Sequence, residues 1–470
     1  MQTINLTVWD NLAIISYFLI LLFIGYKAYK STNQKDEKDF LLANRSLSLP
    51  AFVATLVTTW YGGILGIGEF TYLHGVSTWI VFGLPYYIFA VLFAFFLAHK
   101  VRKENQFTIA DLFYNRYGKK VGLLSSVFLL FMTSPAPYIL MLSVLLQLIF
   151  NFSLFTSLLL GTTVSTIYVF FGGFRSVVKT DKFQFLLIYA GFLMLLIFLL
   201  IHYGDFQYLK QNLSQKHLVW HGGNSIQYIL VWFFLASWTF IDPGFHQRCS
   251  AAKNNSLAKK GILISVGFWF VFDFLTISTG LYAAATLNNI NPILSFPLLA
   301  ESILPPVFKG LFFVGLLAII MSTVDSFTFL SAITFGRDIV WRLKNKSSTE
   351  KINSYTKLGL FLTGLISIIL CLIFPSVIKL WYIIGSLFIP PMLLPLLTGY
   401  FRKFQLPELP TLIMMSTSFL TSLSSFIWGQ LFAENGLPVY PLNLEPFFPG
   451  LLASLGFYIL YNTSNLFRKL

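Results

Sequence analysis

The sequence predicts an all-α protein of about thirteen membrane-spanning helices, and three observations carry that prediction. The 470 residues are 56% hydrophobic and only 11% charged, too apolar for a soluble globular protein. Apolar stretches near the ~20 residues needed to cross ~30 Å of hydrocarbon recur from end to end. No hydrophilic portion is large enough for an independent soluble domain, so residues 1–470 read as one polytopic unit. The 32 Lys and Arg residues are also sorted: all but Lys210, Lys216, Lys309 and Lys379 fall in every second gap between apolar segments. Positive charge stays on the cytoplasmic side because it resists translocation and favours anionic lipid. The net charge of +14 is therefore topological. It points to a lipid bilayer as partner and gives no sign of nucleic acid.

The candidate spans are 8–29, 49–72, 76–99, 121–149, 153–171, 183–203, 225–241, 261–286, 308–335, 355–374, 377–401, 408–432 and 446–463. Lys27, Lys30, Lys35, Lys38 and Arg45 follow the first; Lys100, Arg102, Lys103, Arg116, Lys119 and Lys120 follow the third. Arg175, Lys179 and Lys182 follow the fifth, and Arg248, Lys253, Lys259 and Lys260 the seventh. A cluster that includes Arg337, Lys346 and Lys357 follows the ninth, Arg402 and Lys403 the eleventh, and Arg468 and Lys469 the last. The expected orientation has the N-terminus outside and the C-terminus cytoplasmic, in the plasma membrane. The first span is too long for a signal peptide and lacks a small-residue cleavage site behind it. Cys249 and Cys371 suggest neither a disulfide nor a metal motif. Two wetter outer segments, 204–224 and 287–307, read as loops or short surface helices over an outward-facing cavity. Residues 107–117 read as an interfacial amphipathic helix.

Several spans are not plain apolar rods. The second contains Gly62, Gly63, Gly66 and Gly68, followed by Glu69. Glycines weaken helix and expose backbone, which survives inside a membrane only when protein buries it or it lines a wet cavity. Tight helix packing through small residues is the plainer explanation. Glu69 favours the cavity, because an ionisable group at this depth is costly and usually functional. In the ninth span, Ser322, Asp325 and Ser326 stand at i, i+3 and i+4 and share a face. Hard oxygen ligands on one face suit a desolvated alkali cation. Hydroxyls in membrane helices more often bond back to their own backbone, which leaves Asp325 unexplained. The stretch 172–182, with Gly172, Gly173 and Asp181, joins spans five and six and needs no function as a plain turn. Span seven is expected to end at Pro243-Gly244, with Arg248 anchoring the cytoplasmic interface. Its Trp232, Phe234, Trp238 and Phe240 could be packing or interfacial aromatics, though the middle pair lies deeper than an interfacial belt. Asp273 in span eight is an intramembrane acid without an evident partner.

Taken in order, these pieces resemble the sodium/solute symporter family. The matching features are the Gly-rich second helix ending Tyr72-Leu73-His74-Gly75, and the segment from Gly172-Gly173 through Thr180-Asp181 to Gln184. Gln247-Arg248, Ala251-Ala252-Lys253 and Ala258-Lys259-Lys260-Gly261 follow. Met321-Ser322-Thr323-Val324-Asp325-Ser326, leading to Arg337-Asp338, is the most specific match. The resemblance implies a leucine-transporter-type core of two inverted five-helix repeats, about 49–203 and 225–401. One peripheral helix (about 8–29) would precede them and two (about 408–463) would follow. It also implies a sodium site made by backbone carbonyls of Leu56, Thr59 and Ile319 with the hydroxyls of Ser322 and Thr323. A second sodium, as some members hold, would take Asp181, Ser322, Asp325 and Ser326. Trp238 sits where the family carries an aromatic inner gate.

The implied activity is sodium-coupled import of a small organic solute by alternating access, with Na+ as the coupling ion and no enzymatic chemistry. Trp60, Tyr61, Glu69, Trp79, Phe234 and Trp238 are the candidate walls of a midplane solute site. Aromatics with an acid favour an organic cation. Trp60-Tyr61-Gly62-Gly63 and Glu69 look similar to the choline-transporting branch, and a zwitterionic amino acid such as proline is the next candidate. Proton coupling through Asp181 and Asp325 is one rival. A transport-inactive solute sensor is another, although such proteins normally carry a long cytoplasmic extension and only a few residues follow span thirteen. A channel is disfavoured, since no ring-forming selectivity loop is visible.

Overall fold

The structure, a computed structural model, describes residues 4–33, 36–344, 350–434 and 438–467. Lys35, Lys346, Arg468 and Lys469 lie outside the described residues. The chain runs through α1 (Val8–Lys30), α2 (Leu49–His74), α3 (Trp79–Phe96), α4 (Lys119–Phe150), α5 (Leu154–Ile167), α6 (Gly172–Tyr203) and α7 (Ile226–Ala251). It continues through α8 (Asn255–Thr286), α9 (Phe308–Trp341), α10 (Lys351–Ile373), α11 (Val377–Tyr400), α12 (Glu408–Leu431) and α13 (Phe447–Phe467). Thirteen spans were expected. Among the described residues, eleven of these helices are long and apolar enough to cross a membrane; α5 and α13 are the other two.

Local signals set the boundaries. Thr7 and Asp10 form a reciprocal cap at the start of α1, while Ser225 and Asn254 cap α7 and α8 through the backbone NH groups of Tyr228 and Leu257. The junction of α5 and α6 turns on Gly173, whose φ of 56° favours glycine. A Cβ there would also lie 2.7 Å from the Phe40 carbonyl oxygen.

Burial identifies the centre of the bundle. For α9, 94% of its most apolar window is buried, against 28% for α1 and 33% for α6 and α12, which leave much of their surface to lipid. Against α9 pack α2, α6, α1, α4 and α10. The two wetter segments, 204–224 and 287–307, contain the short helices Phe206–Asn212, Gln215–Leu218 and Ser295–Ile303. Phe206–Asn212 lies against α8, and the other two lie against the C-terminal half of α2, beyond which the backbone NH of Val76 donates to His217 O at 2.9 Å.

The helix expected at 107–117 does form, over Ile109–Tyr117, but its surroundings differ from an interfacial position. Ile109, Leu112 and Phe113 are buried in protein. Asp111 accepts from Arg337 Nη1 at 2.8 Å and also pairs with Arg342, while Arg337 reaches Asp338 at 2.9 Å and Glu37 at 2.5 Å. Burial pushes the Asp111 carboxyl up, but the Arg337 and Arg342 guanidiniums more than offset this and hold it below the ordinary aspartate range. This cluster ties Ile109–Tyr117 to the C-terminal end of α9.

Among the described residues α4 is interrupted at residues 133–135, and the breaks in α2 and α7 are the ones that bear on the site. In α2, α-helix stops at Trp60, Tyr61–Gly63 form a tighter turn, and helix resumes at Ile64. In α7, helix stops at Ile241, Asp242 is extended with ψ of 116°, and a new helix begins at Pro243. The expected end of span seven at Pro243-Gly244 is thus a correction. Proline ends one helix but is equally suited to the first position of the next. The apolar segment 225–241 was too short to cross alone, and the half-helix Pro243–Ala251 completes it.

Candidate functional site

The break in α2 places bare backbone against α9. Thr323 Oγ1 donates to Thr59 O at 2.8 Å and lies 3.4 Å from Ile319 O. A Cβ on Gly62 would fall 2.1 Å from Thr323 Oγ1, and one on Gly63 would fall 2.1 Å from the Trp381 ring. Glycine is required here because α9 and α11 press directly on the turn. Leu56, the turn before, is 2% exposed. Ser322 is turned the other way, donating to Asp181 Oδ1 at 2.6 Å. Carbonyl and hydroxyl oxygens so converging are the hard donors that an alkali cation takes. Of the residues expected at the first sodium site, Thr59 and Ile319 both present their carbonyl oxygens to Thr323 Oγ1, while the Ser322 hydroxyl is engaged by Asp181.

The set expected for a second sodium is distributed differently. Asp181 is wholly buried and accepts from Ser322 and Thr55. Ser326 Oγ lies 3.0 Å from Thr59 Oγ1. Asp325 is wholly buried on the same helix. Among them stands a group the sequence reading placed elsewhere. Arg248, expected at the cytoplasmic interface, is 0% exposed, and its Nη2 reaches Thr59 Oγ1 at 2.7 Å and Ser326 Oγ at 2.9 Å. The correction has the same origin as that of span seven: the half-helix after the break carries Arg248 back into the bundle.

Next to this polar cluster lies a cavity at the level of both breaks. Its aromatic lining comes from Trp60, Tyr61, Tyr86, Tyr138, Trp232, Trp238 and Trp381 with Phe82, Phe245 and Phe327; its charged lining is Asp242, Asp273 and Arg248. Trp60 makes edge contacts with Tyr86 at 4.9 Å and Phe245 at 5.6 Å between ring centroids, and Phe82 meets Trp232 at 4.7 Å. Asp242 Oδ1 caps the half-helix by accepting from Phe245 N at 2.9 Å. Asp273 accepts from Tyr61 OH at 2.8 Å and from Tyr87 OH, which supplies the partners the sequence did not disclose.

Of the expected solute walls, Trp60, Tyr61 and Trp238 line the cavity. Three others are elsewhere. Glu69 is part-exposed two turns beyond the break in α2. Trp79 stands behind the lining, beside Tyr87 and Phe270. Phe234 is 38% exposed and meets Phe448 of α13. Spacing along α7 separates Phe234 from Trp238 by about one turn, but the helix breaks between them, at Ala236. The acids facing the cavity are Asp242 and Asp273. Asp242 was within reach of sequence reasoning, because a helix of crossing length must continue past it. Tyr86, Tyr138 and Trp381 carry no local signal and come together only through the packing of α3, α4 and α11.

A profile of the family described as "Sodium:solute symporter family" matches residues 40–405. The chain belongs to this family. Its relatives are transporters, not enzymes. The chain is 25% identical over 413 residues to "High-affinity choline transporter 1" of Drosophila melanogaster, a match that covers 80% of this chain and 64% of that one. It is 28% identical to the "Sodium/pantothenate symporter" of Haemophilus influenzae, covering 76% and 78% of the two chains. It is 26% identical to "Sodium/proline symporter 2" of Staphylococcus saprophyticus, covering 73% and 70%. Among solved structures, a substrate-bound, outward-open Na+-coupled sialic acid symporter superposes with a TM-score of 0.79 at 19% identity, over 97% of this chain and 96% of that one. The nucleobase-cation-symport-1 family transporter MHP1 superposes with a TM-score of 0.58 at 13% identity, over 91% and 95%. These likenesses show a leucine-transporter-type fold for this member of the sodium:solute symporter family.

Proposed function

We propose that this chain is a sodium-driven symporter of the plasma membrane that imports a small organic cation, such as a quaternary ammonium compound. One observation carries the solute class: a cavity walled by Trp60, Tyr86, Tyr138, Trp232, Trp238 and Trp381 that also presents the carboxyl groups of Asp242 and Asp273. Aromatic faces attract cations, and more strongly when water is excluded. The name of the Drosophila relative, a choline transporter, supports the same class. Support for sodium comes from the family and from the oxygens of Thr59, Ile319 and Thr323 at the break in α2.

In this reading α2–α6 and α7–α11 are the two repeats that rock against each other. Sodium bridging α2 and α9 holds the outward-facing arrangement and preforms the cavity, biasing the equilibrium by its differential affinity for that state. At ~100 mV each inward charge supplies ~2.3 kcal/mol, and a cationic solute adds its own charge to that of the ion. The termini then lie outside (N) and in the cytoplasm (C), as the basic gaps require.

A second reading, a zwitterionic amino acid, is favoured by Arg248, which also lines the cavity and could receive a carboxylate. The test is uptake of choline and of proline by proteoliposomes under an imposed sodium gradient, and separately under a proton gradient. Sodium-driven choline uptake is expected. Sodium-driven proline uptake without choline would transfer the assignment to the zwitterion. Uptake that follows pH and ignores sodium would replace sodium by proton coupling, and absence of uptake of any solute would favour the sensor.

A further inference from the structure

The two acids of the cavity differ in company. Asp242 has Arg248 for a neighbour: a Cβ on Gly244 would lie 2.8 Å from Asp242 Oδ1 and 3.3 Å from Arg248 Nη1. Asp273, 7% exposed on α8, has no cation beside it. Among the described residues its side-chain partners are the phenols of Tyr61 from α2 and Tyr87 from α3, and no ion pair includes it. A third phenol near it, Tyr189 of α6, packs on Phe272 and spends its proton on Phe268 O at 2.8 Å.

The protons at Tyr61 do not suffice for an ionised Asp273. The Tyr61 hydroxyl lies 2.8 Å from Asp273 Oδ1 and also 2.8 Å from Trp269 O. A phenol has one proton to donate, and carboxylates and carbonyls only accept. With Asp273 ionised, Tyr61 serves one acceptor and turns a lone pair towards the other. With a proton on Oδ1 the conflict disappears: Asp273 donates to Tyr61, Tyr61 donates to Trp269 O, and Tyr87 donates to Oδ2.

We propose that Asp273 holds a proton while the cavity is empty and releases it to water when a cationic solute binds. A buried carboxylate persists only when paired, and an organic cation among the aromatics supplies the pairing charge. The carboxyl O–H bond breaks, the proton leaves to solvent, and nothing is oxidised or reduced. Little else has to move. Tyr61 turns its proton from Trp269 O to Asp273, Tyr87 keeps donating, and Trp269 O, inside the continuous helix α8, retains its helical NH partner. Solute and proton thus compete for one carboxyl.

This inference rests on the cationic-solute reading. Choline is added to the purified full chain in weakly buffered, sodium-containing detergent at neutral pH; a pH indicator counts released protons and calorimetry follows binding. Release of about one proton per choline is expected, with an affinity that is low in acid and rises about tenfold per pH unit, as one competing proton requires. Choline binding without proton release overturns the inference and leaves the cationic-solute reading intact. Absence of choline binding overturns that reading, and this inference with it. Asp273→Asn keeps a donor for Tyr61 and so mimics the neutral acid. It is expected to bind choline about tenfold more weakly, without the pH slope and without releasing a proton; release that survives in this variant assigns the proton to another acid and is contrary evidence. Should the variant not fold, the infrared difference spectrum of the parent decides. Choline is expected to remove a protonated-carboxyl band and add carboxylate bands, and a spectrum that keeps the protonated band refutes the proposal.

Discussion

The breaks in α2 and α7 occupy corresponding places five helices apart, yet they present opposite chemistry to the centre of the protein. In α2 the interruption is made by glycine. It leaves carbonyl oxygens, and Thr323 of α9 fills the space that a Cβ on Gly62 would need. In α7 the interruption is made by Asp242-Pro243. It starts a half-helix whose N-terminal NH groups are capped by the Asp242 carboxylate, and it carries Arg248 inward. One break therefore offers oxygen to a small metal cation. The other supplies a fixed cation and, facing the aromatic cavity, a fixed anion. In the proposed reading, the division of labour between ion and solute follows from which residue interrupts each helix.

The largest effect that would test this contrast is at Gly62. Gly62→Ala puts a Cβ 2.1 Å from Thr323 Oγ1 in the present geometry. Overpacking of this kind costs about 1–3 kcal/mol, so sodium affinity should fall roughly 10–100-fold in a sodium titration of the melting temperature. A smaller effect, with the opposite selectivity, is expected at the second break. Asp242→Asn retains a cap, because asparagine caps as well as aspartate, but removes the charge. Choline affinity by calorimetry should fall about tenfold or more, as for loss of a charged partner worth ~1.5–3 kcal/mol, while the sodium response persists. Equal loss of both responses would erase the distinction between the breaks. Thr323→Val deletes only the hydroxyl, and about tenfold weaker sodium binding should follow. The smallest effect is at Glu69, outside the cavity. Glu69→Gln should leave choline affinity within about twofold, inside the ±0.5 kcal/mol typical of sites away from the critical contacts.

The same two breaks show how much of the molecule was legible in the sequence. Four glycines before a carboxylate announce exposed backbone, and Ser322, Thr323, Asp325 and Ser326 announce polar groups on a buried helix. Both are local signals and both lead to neighbouring residues in space. Asp242-Pro243-Gly244 is ambiguous in a local reading, since proline stops a helix and also starts one. Only the length needed to cross the bilayer resolves it. From that ambiguity comes the expectation of Arg248 at the interface, whereas Glu69 is chosen as the acid of the cavity for its depth in the second span. Tyr61 and Tyr87, which hold Asp273, lie 212 and 186 residues from it in the chain. No spacing rule connects them, and packing of α2, α3 and α8 alone brings them together.

The central claim is that carbonyls freed in α2 and the Thr323 hydroxyl of α9 form a sodium site whose filling prepares the cavity. Its most direct test is the melting temperature of the purified chain in sodium against potassium at equal ionic strength, for the parent and for Thr323→Val. A sodium-specific rise that Thr323→Val diminishes, with choline raising it further only when sodium is present, is the predicted result, since a ligand that binds the folded state stabilises it in proportion to its occupancy. Identical melting in sodium and potassium, or a sodium-specific rise that Thr323→Val leaves untouched, would contradict it.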